Sequence, residues 1–112
     1  MDILIVLEES NGQIHRMGLE SIAAGQRLSD EMGLTAGALV LGGNADGLAD
    51  QASKYQLGEV VKVNDALLGS YSADGYSEAV KQIIDQENPT YVLFGHTYQV
   101  RDYVPRLSAK LS

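Results

Sequence analysis

The segment Ile3-Leu4-Ile5-Val6-Leu7 constrains this chain more than any other feature. Its apolar residues run without a polar break, so both faces of the strand they form must be covered by protein. Short apolar runs recur at Leu34–Leu41, Glu59–Val63 and Tyr91–Phe94. Between them lie stretches with helical spacing. His15–Met32 carries Met17, Ile22, Leu28 and Met32 and stops at Gly33. A second helix opens at Asn44-Ala45-Asp46, capped by Asn44 or Asp46, and runs past Tyr55 to end before Gly58. The segment 64–75 reads as irregular, and Asp74 or Ser77 then starts a helix that Asn88-Pro89 stops. The last helix spans Gln99–Leu111, with Val100, Val104, Leu107 and Leu111 on one side. Pro105 suits it best if the helix begins a few residues late, so that the proline falls in the first turn.

Strands alternating with helices predict an α/β protein of three layers, α/β/α, with a parallel, Rossmann-like sheet. Right-handed crossovers favour the strand order 3-2-1-4, counting the four apolar runs. The switch point then lies between the first and fourth strands, where such sheets bind ligands beyond the carboxyl ends. That places Glu8, Glu9, Ser10, Gly95, His96 and Thr97 around one crevice. A sheet ending at the fourth strand exposes an unpaired edge. Either a fifth strand belongs to a portion missing from the sequence or a partner covers that edge, and the bare edge is expected to promote self-association.

Composition narrows the chemistry. The chain has 112 residues, enough for one domain with its own core. It has no cysteine, which removes disulfides, thiolate zinc sites, iron–sulfur ligation and cysteine nucleophiles. Two histidines are too few for most imidazole metal sites, and none is expected. Eight basic against fifteen acidic residues give a net charge of −7, which disfavours nucleic acid and anionic membranes. There is no membrane-length apolar run and no basic, cleavable leader, so a cytoplasmic setting is expected.

Local motifs exclude more than they assign. After the first strand stands Glu8-Glu9-Ser10-Asn11-Gly12, not the dinucleotide glycine fingerprint. The turn Gly42-Gly43-Asn44-Ala45-Asp46-Gly47 has no lysine and reads as a plain strand-to-helix turn rather than a phosphate cradle. Ser10 and His96 could in principle form a hydrolytic pair, but no strained elbow or oxyanion motif accompanies them. Glu8 and Glu9, adjacent at a strand end, point apart. His96 is a ligand-contact candidate, and His15 reads as a surface residue. Arg101-Asp102 with Pro105-Arg106 is the most distinctive polar cluster. Arg101 can meet an anion or an acidic partner surface, or pair with Asp102, Glu8 or Glu9.

These residues carry a resemblance. Ile3-Leu4-Ile5-Val6-Leu7-Glu8-Glu9, Ala36-Gly37-Ala38-Leu39-Val40-Leu41-Gly42 and, above all, Pro89–Thr97 followed by Arg101-Asp102-Tyr103-Val104-Pro105-Arg106-Leu107-Ser108-Ala109-Lys110-Leu111 resemble the electron transfer flavoprotein alpha subunit. Val100 departs from the pattern, in which glycine precedes Arg-Asp. The resemblance implies a fold shared with adenine nucleotide alpha hydrolases. It implies that residues 1–112 are an amino-terminal domain, incomplete at its carboxyl end, with no catalytic site of its own. It further implies a carrier of bacterial or archaeal type that passes electrons from dehydrogenases to a quinone-linked or other acceptor. FAD would sit in a separate carboxyl-terminal domain and AMP in the partner beta subunit, with neither tightly held by this chain. Arg101, Asp102 and Arg106 become interface candidates, and Glu8, Gly95, His96 and Thr97 remain the switch-point candidates. Two other readings stand beside it: a free-standing AMP- or ATP-binding module like the universal stress proteins, and a small hydrolase built on Ser10 and His96.

Overall fold

A computed structural model describes residues 1–111; Ser112 lies outside them. Its sheet is built from β1 (Ile3–Leu7), β4 (Ala36–Gly42), β5 (Glu59–Asn64) and β6 (Tyr91–Phe94) in the order β5-β4-β1-β6, all parallel. This is the third-second-first-fourth order expected of the four apolar runs. β1 pairs Ile5 with Ala38 of β4 on one side and with Leu93 of β6 on the other.

Every residue of β1 is buried, and alternation divides them between two cores. Ile3, Ile5 and Leu7 face α1 (Arg16–Met32) and α2 (Asp46–Ala52), meeting Ile22, Leu48 and Ala52. Leu4 and Val6 face α3 (Ala73–Glu87) and α4 (Tyr98–Leu111), meeting Val80, Ile83, Tyr103 and Leu107. A short hairpin of β2 (Glu9–Ser10) and β3 (Gln13–Ile14) follows β1. Its turn residues Asn11 and Gly12 have φ of 54° and 79°. Positive φ at both central positions is what a two-residue type I′ hairpin demands, and Asn-Gly is its preferred sequence.

Several element ends differ from the sequence expectation. α2 stops at Ala52, short of Tyr55. Ala52 is its last core residue, and the chain then turns so that the Gly58 amide reaches the Ala36 carbonyl at 2.8 Å and β5 can begin in register. Neither Asn44 nor Asp46 caps α2; Ala45 stands at that position, and its amide is bound from across the sheet by Asn64 Oδ1 at 3.1 Å. The segment 64–75 contains a 3₁₀ turn at Ala66–Leu68, and α3 is capped by Ser72, not Asp74 or Ser77. Ser77 is fully buried and donates to the Asp74 carbonyl. Pro105 sits in mid-helix, not in the first turn. Thr97 sets the start of α4 earlier, and proline removes the donor that would have met the Arg101 carbonyl and crowds that carbonyl with its ring. Both residues are exposed, so water can take that carbonyl.

The glycine pair after β4 has a steric reason. A Cβ on Gly43 would stand 2.7 Å from Gly69 Cα and 3.1 Å from Gly69 N. Backbone packs directly on backbone there, joining the β4–α2 turn to the 3₁₀ segment. Gly43→Ala should therefore lower unfolding stability by about 1–3 kcal/mol in urea titrations, through overpacking with no side chain able to yield.

Tyr71, Tyr76, Tyr103 and Phe94 form a chain of ring contacts under α4, with centroids 5.1, 6.0 and 6.0 Å apart. Burial, with the Glu8 carboxylate as a further cause, pushes the Tyr103 phenol well above its ordinary range. Unfolded tyrosine ionises near pH 10 while the folded ring stays neutral, so stability present below that pH is lost as pH rises beyond it. Tyr103→Phe should flatten this alkaline loss by up to ~1.4 kcal/mol per pH unit, read from denaturation midpoints between pH 9 and 12.

Candidate functional site

The carboxyl ends of β1 and β6 diverge at the switch point and leave a crevice of about 440 Å³. It is lined by Glu8, His15, His96, Thr97, Tyr98, Gln99 and Arg101. Its floor is tied together by one side chain. Thr97 Oγ1 donates to Glu8 Oε1 at 2.6 Å and accepts from the Val100 amide at 3.2 Å. Thr97 thereby caps α4 and links the end of β6 to the end of β1.

Gly95 is buried beneath the crevice. A Cβ there would lie 3.1 Å from Met17 Cβ and 3.2 Å from the Met17 carbonyl carbon, so the β6–α4 turn lies directly on the first turn of α1. His15 caps that same helix, its Nδ1 accepting from the Met17 amide at 3.0 Å, while its own amide donates to the Glu8 carbonyl at 2.7 Å. The sequence reading made His15 a plain surface residue. Its place before a long apolar-periodic helix was the available signal, but histidine is not among the preferred caps.

The crevice does not gather all the residues expected there. Glu8, His96 and Thr97 line it and Gly95 lies under it, but Glu9 and Ser10 are carried off into the β2–β3 hairpin. Glu9 accepts from the Gly12 amide within that turn, and Ser10 is exposed opposite Gln13. Ser10 therefore does not face His96, and the arrangement offers no nucleophile–base pair. Among the described residues no cluster of three or more metal-ligating side chains forms.

The polar cluster on α4 divides in two. Asp102 accepts from the Tyr71 hydroxyl at 2.6 Å, and Arg106 pairs with Asp74 at 2.8 Å. Both ties run from α4 to the segment that opens α3, so these two residues hold the fold. Desolvation, reinforced by Asp102, raises the Tyr71 phenol above its ordinary range and keeps it a donor. Arg101 differs: it is exposed on the crevice wall, and neither Asp102, Glu8 nor Glu9 pairs with its guanidinium. Val100, where glycine was expected, packs its half-buried side chain against the α3–α4 core.

The crevice is a poor fit to a phosphate. The Val100 amide in the first turn of α4 is already bound by Thr97, and the neighbouring carboxylate of Glu8 would repel an anion. It fits a flavin no better. No buried side-chain polar atom lacks a partner among the described residues, and the turn after β1 is a tight hairpin without the dinucleotide glycines.

Fold and site together define a parallel α/β domain with a polar, solvent-open switch-point crevice and no catalytic constellation among the described residues. The electron transfer flavoprotein domain matches residues 3–112, and the chain belongs to that family. The electron transfer flavoprotein subunit alpha of Bacillus subtilis is 36% identical over 109 residues, covering 97% of this chain and 33% of that protein. That of Thermoanaerobacterium thermosaccharolyticum is 29% identical over 110 residues, 98% and 33%. The acryloyl-CoA reductase electron transfer subunit beta of Anaerotignum propionicum is 28% identical over 110 residues, 98% and 30%. The chain thus spans about a third of the length of these relatives.

Thr97→Val should cost about 1 kcal/mol by removing the α4 cap, and should leave Glu8 without its donor. Thr97→Ser, which keeps the hydroxyl, should retain most of that stability in the same thermal denaturation series.

Proposed function

We propose that this chain serves as an amino-terminal, structural domain of an electron transfer flavoprotein alpha subunit and docks a partner beta subunit. The observation that carries this reading is the division of labour within Arg101-Asp102-x-x-Pro105-Arg106. Two of its charged side chains are spent on internal ties, while Arg101 stands free and exposed beside the crevice. A planar cation with unused donors at the rim of a shape-defined hollow is a common interface anchor. The family match supports the wider role. The complete protein would carry FAD outside this domain, with AMP in the partner subunit. It would accept electrons from dehydrogenases and pass them to a quinone-linked or other acceptor in the cytoplasm. This domain would perform no catalytic step; its part is to present a rigid docking wall. The absence of a membrane-length apolar helix among the described residues is compatible with that setting.

Binding to a cognate beta subunit, followed by calorimetry, tests the reading. Arg101→Ala should weaken association about tenfold or more while leaving the melting temperature nearly unchanged. Arg106→Ala should mainly lower thermal stability, by no more than about 1 kcal/mol for an exposed pair. Unchanged affinity in Arg101→Ala would remove this side chain from the docking surface.

A further inference from the structure

The docking role leaves one polar assembly unused. Tyr71 lies just before α3, and its hydroxyl donates to Asp102 Oδ2 at 2.6 Å. That separation is typical of a charge-assisted bond from a hydroxyl to a carboxylate. The Gln99 carbonyl, at 3.3 Å, is a weaker second acceptor. The Tyr71 ring meets Tyr76 edge-on at 5.1 Å, and Tyr76 meets Tyr103 at 6.0 Å. Phe94, which has no phenol, closes the row beyond Tyr103. Tyr103 is 3% exposed, Tyr71 is half-buried and Asp102 is exposed, so the row leads from the core to the surface.

The three phenols differ in what can take their protons. A phenol that loses an electron becomes a strong acid, and the loss is easy only where a base accepts the proton in the same event. Tyr76 donates at 3.4 Å to the Leu68 carbonyl, which is not a base. Among the described residues, Tyr71 alone gives its proton to a carboxylate. Burial, then Asp102, holds the resting Tyr71 phenol in its protonated form; Glu8 acts in the same sense and Arg106 opposes it. Loss of the proton alone is therefore disfavoured, whereas joint loss of an electron and a proton is not.

We propose that Tyr71 and Asp102 form a redox-active tyrosine–carboxylate pair, the resting place of an electron vacancy created anywhere along the Tyr103–Tyr76–Tyr71 row. A one-electron oxidant of the peroxyl-radical or high-valent metal class takes one electron from the row. Ring contact passes the vacancy outward to Tyr71. The Tyr71 O–H bond breaks, its proton forms an O–H bond on Asp102 Oδ2, and a neutral phenoxyl radical remains. A thiolate reverses the step: it gives up one electron and becomes a thiyl radical, while Asp102 returns the proton to the Tyr71 oxygen. The row thus drains oxidising equivalents from the α3–α4 core to its exposed margin. This role is independent of the docking given to Arg101, whose side chain takes no part in it.

The test uses the 112-residue chain carrying Tyr55→Phe, Tyr91→Phe and Tyr98→Phe, which removes the other three phenols. Photogenerated tris(bipyridine)ruthenium(III) is the oxidant, and the phenoxyl radical is followed by transient absorption and electron paramagnetic resonance. The expected radical forms more slowly in deuterated water, because the proton moves with the electron. Asp102→Asn keeps a hydrogen-bond acceptor but removes the base, and should slow radical formation at least ~10-fold. Tyr71→Phe should abolish the persistent radical although Tyr76 and Tyr103 remain, and it serves alone if Asp102→Asn does not fold. Far-UV circular dichroism confirms the fold of each variant. Equal rates in wild type and folded Asp102→Asn, a radical undiminished in Tyr71→Phe, or the absence of a solvent isotope effect overturns the proposal.

Discussion

The double-sided burial of β1 is the constraint on which the rest depends. Ile3, Leu4 and Ile5 have no exposed surface, and Val6 and Leu7 almost none. A strand in that state needs a hydrogen-bonded neighbour on each side and a helical layer above and below. β4 and β6 supply the neighbours, and the α1–α2 and α3–α4 pairs supply the layers. The crevice is a by-product of the same arrangement. With crossovers of one hand, helices leave β4 and β6 in opposite directions from β1, and the ends of β1 and β6 must part.

What fills the parting is local and polar. Thr97 joins Glu8 to the first turn of α4, and His15 joins the Glu8 carbonyl to the first turn of α1. One acidic residue at the end of the central strand thus anchors two helix starts. The crevice's exposed cation is Arg101, a planar group suited to recognising another surface.

Much of this was legible in the sequence because it rests on periodicity. The runs at Ile3–Leu7 and Tyr91–Phe94 require buried strands, and their alternation with helical spacing leaves few topologies. Where the sequence misled, a distant partner decided the outcome. Asn64, nineteen residues away, binds the Ala45 amide at the start of α2, and neither Asn44 nor Asp46 supplies a side-chain cap. Thr97, bound to Glu8 eighty-nine positions earlier, starts α4 too soon for Pro105 to sit in its first turn. The fate of Asp102 could not be read locally either, because its partner Tyr71 lies in a segment with no periodic signal. The β2–β3 hairpin is a different case. Asn11-Gly12 announces an I′ turn plainly, and treating the stretch as a loose strand end is what wrongly brought Ser10 to the crevice.

The uneven charge gives the molecule two sides with different rules of approach. The half built from residues 1–72 bears a net −6 and presents a β5 edge closed by Glu59 and Lys62. Another acidic macromolecule is repelled from it. The half built from residues 73–111 bears a net −1, spends six of its nine charges in ion pairs, two of those pairs tying α3 to α4, and leaves Arg101 exposed. Electrostatics acts before contact and packing acts after it. The first steers encounters away from the acidic half; the second can hold only where apolar surface is waiting. Under the docking role proposed for Arg101, both favour approach from the α4 side.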